Sequence, residues 1–261
     1  MTPDPHNRLQ FMNIGRYKMT DLIPLTAKVE PFDSFWEAPK NIEKGYKSFG
    51  KFYKRNYLKY ITNNKGANIL VLSCGPGYFI NLLKNEGYHN IIGIDSDPEK
   101  IKYTKLKGLN CMVKECFPFL AENKVYYDII IAEQEINHLT KEEIIIFLNL
   151  CWQSLRKNGT LIIHSLNGAN PITGSEALAQ NFDHYNTFTE YSLKQVLKYT
   201  TFSEIKIFPL NLYIFYENPL NYIGLFLDSL LNLIFRASFI FYGKSNKIFA
   251  KKIAAVCIKN S

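Results

Sequence analysis

The sequence predicts an α/β protein built on a doubly wound, mostly parallel seven-stranded sheet, with a helical insert before the last strand. Three observations predict it. Between residues 68 and 166, short apolar runs alternate with segments of helical period, the spacing of parallel strands joined by crossover helices. The first run, Ile69 to Leu72, stops at Gly75-Pro76-Gly77, and a helical pattern begins at Tyr78. That succession of strand, tight turn and helix brings backbone N–H groups close to a nucleotide-like ligand. The second run, Ile91 to Ile94, ends on Asp95, twenty positions after Gly75. A carboxylate at the tip of the second strand is where such a sheet holds ribose hydroxyls.

The elements follow in order. Residues 1–40 hold Pro3, Pro5, Pro24, Pro31 and Pro39 without a clear period and read as an irregular N-terminal leader. The domain proper is expected over 41–261. Within it, 41–62 carry Tyr46, Phe49, Phe52, Tyr53, Tyr57 and Tyr60 at three- and four-residue intervals among lysines. This is a helix with one aromatic face, either packed on the core or serving as a lid whose Tyr46 or Tyr53 touches a ligand. Strands are expected near 68–73, 91–95, 110–113, 127–132 and 160–166, and helices near 78–86, 98–106 and 141–156. Asp97-Pro98 opens the second of these helices with a cap and a first-turn proline. Thr140-Lys141-Glu142-Glu143 is a capping box for the third, and Asn158-Gly159 is expected to stop it. Beyond the loop Asn167-Gly168-Ala169-Asn170-Pro171, Thr189 caps a helix near 190–199, and two strands fall near 204–215 and 250–258.

Residues 217–245 form the insert. Leu220 to Tyr242 is almost wholly apolar, yet it holds Asn221, Asp228, Ser229, Asn232, Arg236 and Ser238. A membrane span needs about 20 apolar residues with few charges, so polar groups at this density argue against spanning. The expectation is a helix packed on the domain or on a second copy in a homodimer. A cap over the acceptor site and a membrane-surface contact are the other readings.

Apolar residues at 47% suffice for a full core. The net charge of +8 is scattered, with no run of five or six Lys/Arg. Such a surface disfavours nucleic acid and suits an anionic acceptor or a membrane face. The five cysteines, Cys74, Cys111, Cys116, Cys151 and Cys257, are odd in number and lack paired metal-ligand spacing. No metal is expected, and a reduced, cytoplasmic setting is the simplest reading. Met1-Thr2-Pro3-Asp4-Pro5 lacks the apolar stretch of a signal peptide.

Cys74-Gly75-Pro76-Gly77-Tyr78 resembles the second half of motif I of the class I S-adenosylmethionine-dependent methyltransferases, whose usual form ends in Gly-Cys-Gly-x-Gly. The first half departs, with Val71 where the family often has an acid and Ser73 where it has a glycine. The resemblance covers most of the chain, and its specific motifs lie in residues 69–138. It implies a Rossmann-like methyltransferase fold, S-adenosylmethionine as cofactor and S-adenosylhomocysteine as product. By the same resemblance, Gly75, Gly77 and Tyr78 approach the methionine and ribose parts of the cofactor, and Asp95 with Ser96 holds the ribose. Glu115, Cys116 and Phe117 flank adenine. Asp128 to Leu139 resembles the motif IV region, which places Glu133 and Gln134 against the methionine portion and His138 at the start of the next helix.

A hydroxyl is a poor nucleophile unless its proton leaves as the new bond forms, and histidine is the usual agent near neutral pH. The leading candidate is His184, in the segment Asn181 to Thr189 that follows the fifth strand. That segment loosely resembles an Asp-x-x-His…Phe-Thr stretch of bacterial surface-polysaccharide methyltransferases, although Asp183 and His184 are adjacent here. His138 is the second candidate, whereas His164, inside an apolar strand, reads as a core histidine. Asn167, Asn170 and Tyr53 are candidates for acceptor binding. The expected activity is O-methyl transfer to a small polar acceptor, a sugar, sugar nucleotide or phosphate group, in bacterial capsule or glycan biosynthesis. The alternatives are a lipid or quinone methyltransferase at a membrane surface and a cofactor-binding protein without catalysis. A nicotinamide oxidoreductase is disfavoured, because Ile80 stands where its fingerprint needs a third glycine.

Overall fold

Seven strands form a single sheet in the computed structural model, which describes residues 41–133, 135–179, 182, 184–213 and 218–260. The expected leader, Gln134 and Asp183 lie outside the described residues. The strands are β1 (Ile69–Leu72), β2 (Ile91–Asp95), β3 (Cys111–Val113), β4 (Tyr127–Ala132), β5 (Leu155–Leu166), β6 (Ser203–Pro209) and β7 (Lys252–Ile258). Their order is β3-β2-β1-β4-β5-β7-β6, and only β7 runs antiparallel to its neighbours. The helices are α1 (Ile42–Asn56), α2 (Tyr78–Asn85), α3 (Pro98–Leu106), α4 (Cys116–Glu122), α5 (Lys141–Ser154), α6 (Glu176–Ala179), α7 (Glu190–Tyr199) and α8 (Asn221–Phe241).

The central strands are apolar on both faces because helices cover both. Ile69 and Val71 of β1 and Ile129 and Ile131 of β4 join one core cluster with α1 and α2. Leu70, Leu72, Ile130 and Ala132 point the other way, into a cluster with α4, α5 and α7. Side chains that alternate along a strand thus reach two cores, so these strands read as continuous apolar runs. The aromatic stripe of α1 is core: Tyr46, Phe52, Tyr53 and Tyr57 are all buried.

Three local expectations are corrected. First, α5 stops at Ser154 and not at Asn158-Gly159. Leu155 is fully buried and already pairs with Tyr127, so the strand begins where the helix ends. The register then shifts, with Thr160 opposite Ile129, and Asn158 takes a positive φ of 60° within this irregular stretch. Arg156 fastens it by donating to both carboxylate oxygens of Asp128, at 2.9 and 3.0 Å. Second, β6 ends at Pro209 rather than near 215. Proline has no N–H to donate and so sits at a strand limit. Third, α4 is not anticipated from sequence, because seven residues are too few to display a helical period.

The insert is a single long helix, α8, with no buried residue. Phe235 and Phe239 bring it against Phe249, with ring centroids 6.3 and 4.5 Å apart.

Phe147 of α5 is completely buried and meets Phe117 at 6.0 Å. Phe147→Ala is expected to lower stability by about 3–5 kcal/mol, read from urea unfolding, because the surrounding core closes only part of the cavity.

Candidate cofactor and acceptor site

The turn after β1 is held in left-handed backbone at three positions, Ser73 (φ 49°), Gly75 (φ 52°) and Gly77 (φ 82°). Ser73 therefore keeps the backbone that a glycine would take there, at a cost of about 1–2 kcal/mol. Gly77 is needed for space as well. A Cβ at this position would lie 2.8 Å from Leu109 Cδ1 and 3.0 Å from Thr104 Cγ2. The Gly75 amide donates to Asp95 Oδ2 at 2.7 Å, and the Asp97 amide donates to Oδ1 at 2.9 Å. The first turn and the tip of β2 are thereby locked to each other through one buried carboxylate. Ser96 is exposed beside it.

Helix α1 docks on this turn. Tyr46 donates its hydroxyl to the Pro76 carbonyl at 2.5 Å, and burial raises its phenol above the ordinary range, so it stays a donor. Tyr78 lies edge-on to Tyr46 and stacked on Phe49, both at 4.9 Å. Its ring covers Gly45, where a Cβ would be 2.3 Å from the hydroxyl oxygen. Tyr78, expected at the cofactor, is thus part of the seam that carries α1. Tyr53 stacks on Phe79 at 4.4 Å and donates to Glu133 Oε2 at 2.7 Å.

Glu133 follows β4 directly. Leu72 pairs with Ala132, so Glu133 stands beside Ser73 at the same edge of the sheet. Its side chain keeps 20% exposure, but Oε1 is sealed from solvent and has no hydrogen-bond partner among the described residues. That oxygen lies 3.8 Å from His164 Nδ1, which is bonded to the Tyr57 hydroxyl at 2.6 Å. His164 Nε2 is likewise buried without a partner among the described residues. Burial pushes the Glu133 carboxyl up to about 7, against the Tyr53 bond and the charge of Lys252. Burial and then Lys252 hold His164 well below the usual imidazole range, so its ring is neutral. The core histidine expected at 164 is core, but it belongs to a buried polar cluster that local pattern does not reveal. An orphaned carboxylate oxygen at this point fits the α-ammonium of a methionine moiety, which is a donor. Val71, where the family often has an acid, is only 2% exposed and offers no polar group.

On the other side of the site, fully buried Asn137 ties three segments together. Its Nδ2 donates to Ser165 Oγ at 3.2 Å and to the Asn186 carbonyl at 2.6 Å, while Oδ1 accepts from the Leu166 amide at 3.2 Å. Its carbonyl accepts from the Tyr185 and Asn186 amides, and Asn186 Nδ2 donates back to the Leu139 carbonyl. The strap brings the two predicted catalytic histidines together, with ring centroids of His138 and His184 4.7 Å apart. His184 Nδ1 lies 2.5 Å from the Ala177 carbonyl. A carbonyl only accepts, so Nδ1 carries the proton of the neutral ring and Nε2 carries the lone pair. Sequence reasoning missed Asn137. Its only signal is its position directly before His138-Leu139.

Asn167 and Asn170 fall elsewhere. Asn167 donates to the Ile248 and Ala250 carbonyls, and Asn170 donates to the Phe249 carbonyl. Their Oδ1 atoms accept from Ala169 and from Ile172 and Thr173. Both side chains clamp the loop to the segment before β7 instead of facing an acceptor. Phe117 is buried against Phe147, and Cys116 is buried beside it. Glu115 is half-buried at the N-cap of α4 and makes no side-chain cap bond. Among the described residues no cluster of His, Cys, Asp or Glu could hold a metal ion.

Residues 46–203 match a family model described as methyltransferase domain. The chain belongs to this methyltransferase family. Its cofactor is S-adenosylmethionine. The fold is similar to that of a SAM-dependent methyltransferase from Archaeoglobus fulgidus, with TM-score 0.64 and 20% identity over 87% of this chain and 100% of that one. It is similar also to phosphoethanolamine N-methyltransferase 2 of Haemonchus contortus in complex with S-adenosyl-L-methionine, with TM-score 0.55 and 12% identity over 87% of this chain and 59% of that one. A third likeness is the plantazolicin methyltransferase BpumL in complex with SAH, with TM-score 0.51 and 18% identity over 86% of this chain and 91% of that one. No curated protein matches the sequence. At these identities the likenesses speak for the fold of the methyltransferase and not for its acceptor.

Gly77→Ala is expected to weaken S-adenosylhomocysteine binding by about tenfold or more, read by calorimetry, since the left-handed backbone and the Leu109 contact force the turn to move. Glu133 also sets a pH dependence of stability. Its folded value lies above the ordinary one, so its contribution is full below about 4.5 and is lost as the pH rises through about 7. His164 tilts the other way, because its depressed value makes stability fall as the pH drops below 6.5. The difference between wild type and Glu133→Gln isolates the carboxyl. Relative to the variant, the wild type is expected to lose on the order of 3 kcal/mol between pH 4.5 and 7 in urea unfolding.

Proposed function

We propose that this methyltransferase moves a methyl group from S-adenosylmethionine to an oxygen of a small polar acceptor, with His184 as the base. The observation that carries the reading is the tautomer set by Ala177: a ring whose Nδ1 proton is held on a carbonyl presents a basic Nε2. His138 packs edge-on against that ring and limits its rotation, and the Asn137 strap holds the segment that bears it. Gly75 and Gly77 admit the cofactor at the turn, Asp95 with Ser96 takes the ribose hydroxyls, Glu115 and Cys116 lie on the adenine side, and Glu133 Oε1 takes the ammonium. When bound, the cofactor supplies an electrophilic methyl on a sulfonium sulfur. The protein's part is to orient the acceptor and remove its proton.

The acceptor class is a sugar, sugar nucleotide or phosphate group of bacterial capsule or glycan biosynthesis in a reducing cytoplasm. Its support is the likeness around His184 and the net charge of +8, which favours anionic molecules. A second reading, a lipid-borne acceptor met at a membrane surface, is favoured by the exposed apolar face of α8.

The test is a screen of nucleotide sugars and phosphorylated sugars with labelled cofactor, followed by His184→Gln. The variant is expected to bind S-adenosylhomocysteine like wild type while turnover falls by about 10²–10⁴. Unchanged turnover would remove His184 from the mechanism.

A further inference from the structure

Helix α8 turns its broadest apolar face outward. Its half-buried positions recur on the other face and include Asn221, Asp228 and Asn232 beside Phe235 and Phe239, while Ser229, Arg236 and Ser238 are exposed. The opposite face presents Ile223, Phe226, Leu230, Leu233, Ile234 and Phe241, which are 45–91% exposed. At 3.6 residues per turn, the exposed large apolar residues spread over an arc of about 180°. A seam with a second helix uses a narrower stripe and would leave the flanks of this arc in water. A half-circumference of apolar surface suits a continuous apolar medium instead.

Length and charge agree. Twenty-one residues make a helix about 31 Å long, with Tyr222 and Tyr242 at its ends, where amphipathic rings settle at a membrane boundary. Directly after it come exposed Lys244, Lys247 and Lys251, and from Asn218 to Asn260 the only acidic residue is Asp228.

The sheet decides how such a helix meets a bilayer. By length and composition α8 could cross one. But β6 leads toward the helix and β7 follows it, and the two are paired neighbours, Pro209 opposite Ile253. A single crossing would put these strands on opposite sides of the membrane. The segment between α8 and β7 holds Lys244, Ser245, Asn246, Lys247 and Lys251 and has no regular structure with which to cross back.

We infer that α8 lies in the plane of an anionic lipid bilayer, its outward apolar face in the acyl region and Lys244, Lys247 and Lys251 on the headgroups. The Asn167 and Asn170 clamps to residues 248–250, where Phe235 and Phe239 also pack, then hold the loop after β5 close to the membrane. This surface role goes beyond the methyl-transfer reading and does not rest on it.

The experiment is co-sedimentation of the full chain with phosphatidylglycerol–phosphatidylcholine vesicles and with phosphatidylcholine vesicles alone. Binding is expected to the anionic vesicles, to weaken with added salt, and to be weaker on neutral lipid. The double variant Phe226→Glu, Leu230→Glu is expected to bind about 100-fold less tightly while still binding S-adenosylhomocysteine like wild type. Lys244→Glu with Lys247→Glu, which leaves the helix untouched, is expected to remove the preference for anionic lipid. Wild-type protein that stays in the supernatant would overturn the inference, as would undiminished binding by the double variant. A dimer in sedimentation equilibrium that the double variant disperses, without vesicle binding, would also overturn it and give the face to a second copy. Vesicle binding without S-adenosylhomocysteine binding would strike the cofactor site and leave this inference standing.

Discussion

The carboxylate of Asp95 is the joint on which the cofactor edge of this molecule depends. It accepts the Gly75 amide from the first turn and the Asp97 amide from the cap of α3, and its own carbonyl takes the Lys114 amide after β3. Three consecutive strand-to-helix connections are thus referred to one residue. Hydrogen bonds to an ionised acceptor are roughly twice as strong as neutral ones, and a buried carboxylate stripped of them would be costly. The residue expected to bind ribose therefore also builds the shape of the site.

A second joint, Asn137, does the same on the acceptor side with neutral groups. Its amide uses donors and acceptor together, and it spans β5, the short 3-10 turn Glu135–Asn137 and the segment before α7. Between the two joints lies the buried cluster of Tyr53, Glu133, Tyr57 and His164. Glu133 and His164 are each bonded at one polar atom and orphaned at the other among the described residues, a pattern that calls for a further group at the site. The aromatic stripe of α1 serves both ends of this arrangement. Its rings fill the core, and its hydroxyls reach the glycine turn and the end of β4.

The insert obeys a different constraint. The strands before and after it, β6 and β7, are paired neighbours in one sheet, so a single membrane crossing would separate them. A helix that places Asn221, Asp228 and Asn232 on its packed face and large apolar groups outward reverses the usual preference of a water-facing surface. The density of polar residues argues against a span while length and mean hydropathy allow one, and the orientation of its faces gives it a definite surface.

Much of this was legible locally. Strand and helix alternation, the caps at Asp97 and Thr140 and the glycine turn depend on residues within a few positions of one another, so the sequence by itself determined the sheet, the glycine turn and the helices around it except the short α4 and α6. The Asn158-Gly159 stop failed because tertiary pairing of Leu155 with Tyr127 outweighed a local capping preference. Tertiary structure alone decided that Asn167 and Asn170 are clamps, that Tyr57 meets His164 across 107 residues, that His138 and His184 face each other, and that α8 turns its apolar side outward. Such contacts join side chains far apart in the chain, and they arise only once the sheet has set which strand ends are neighbours.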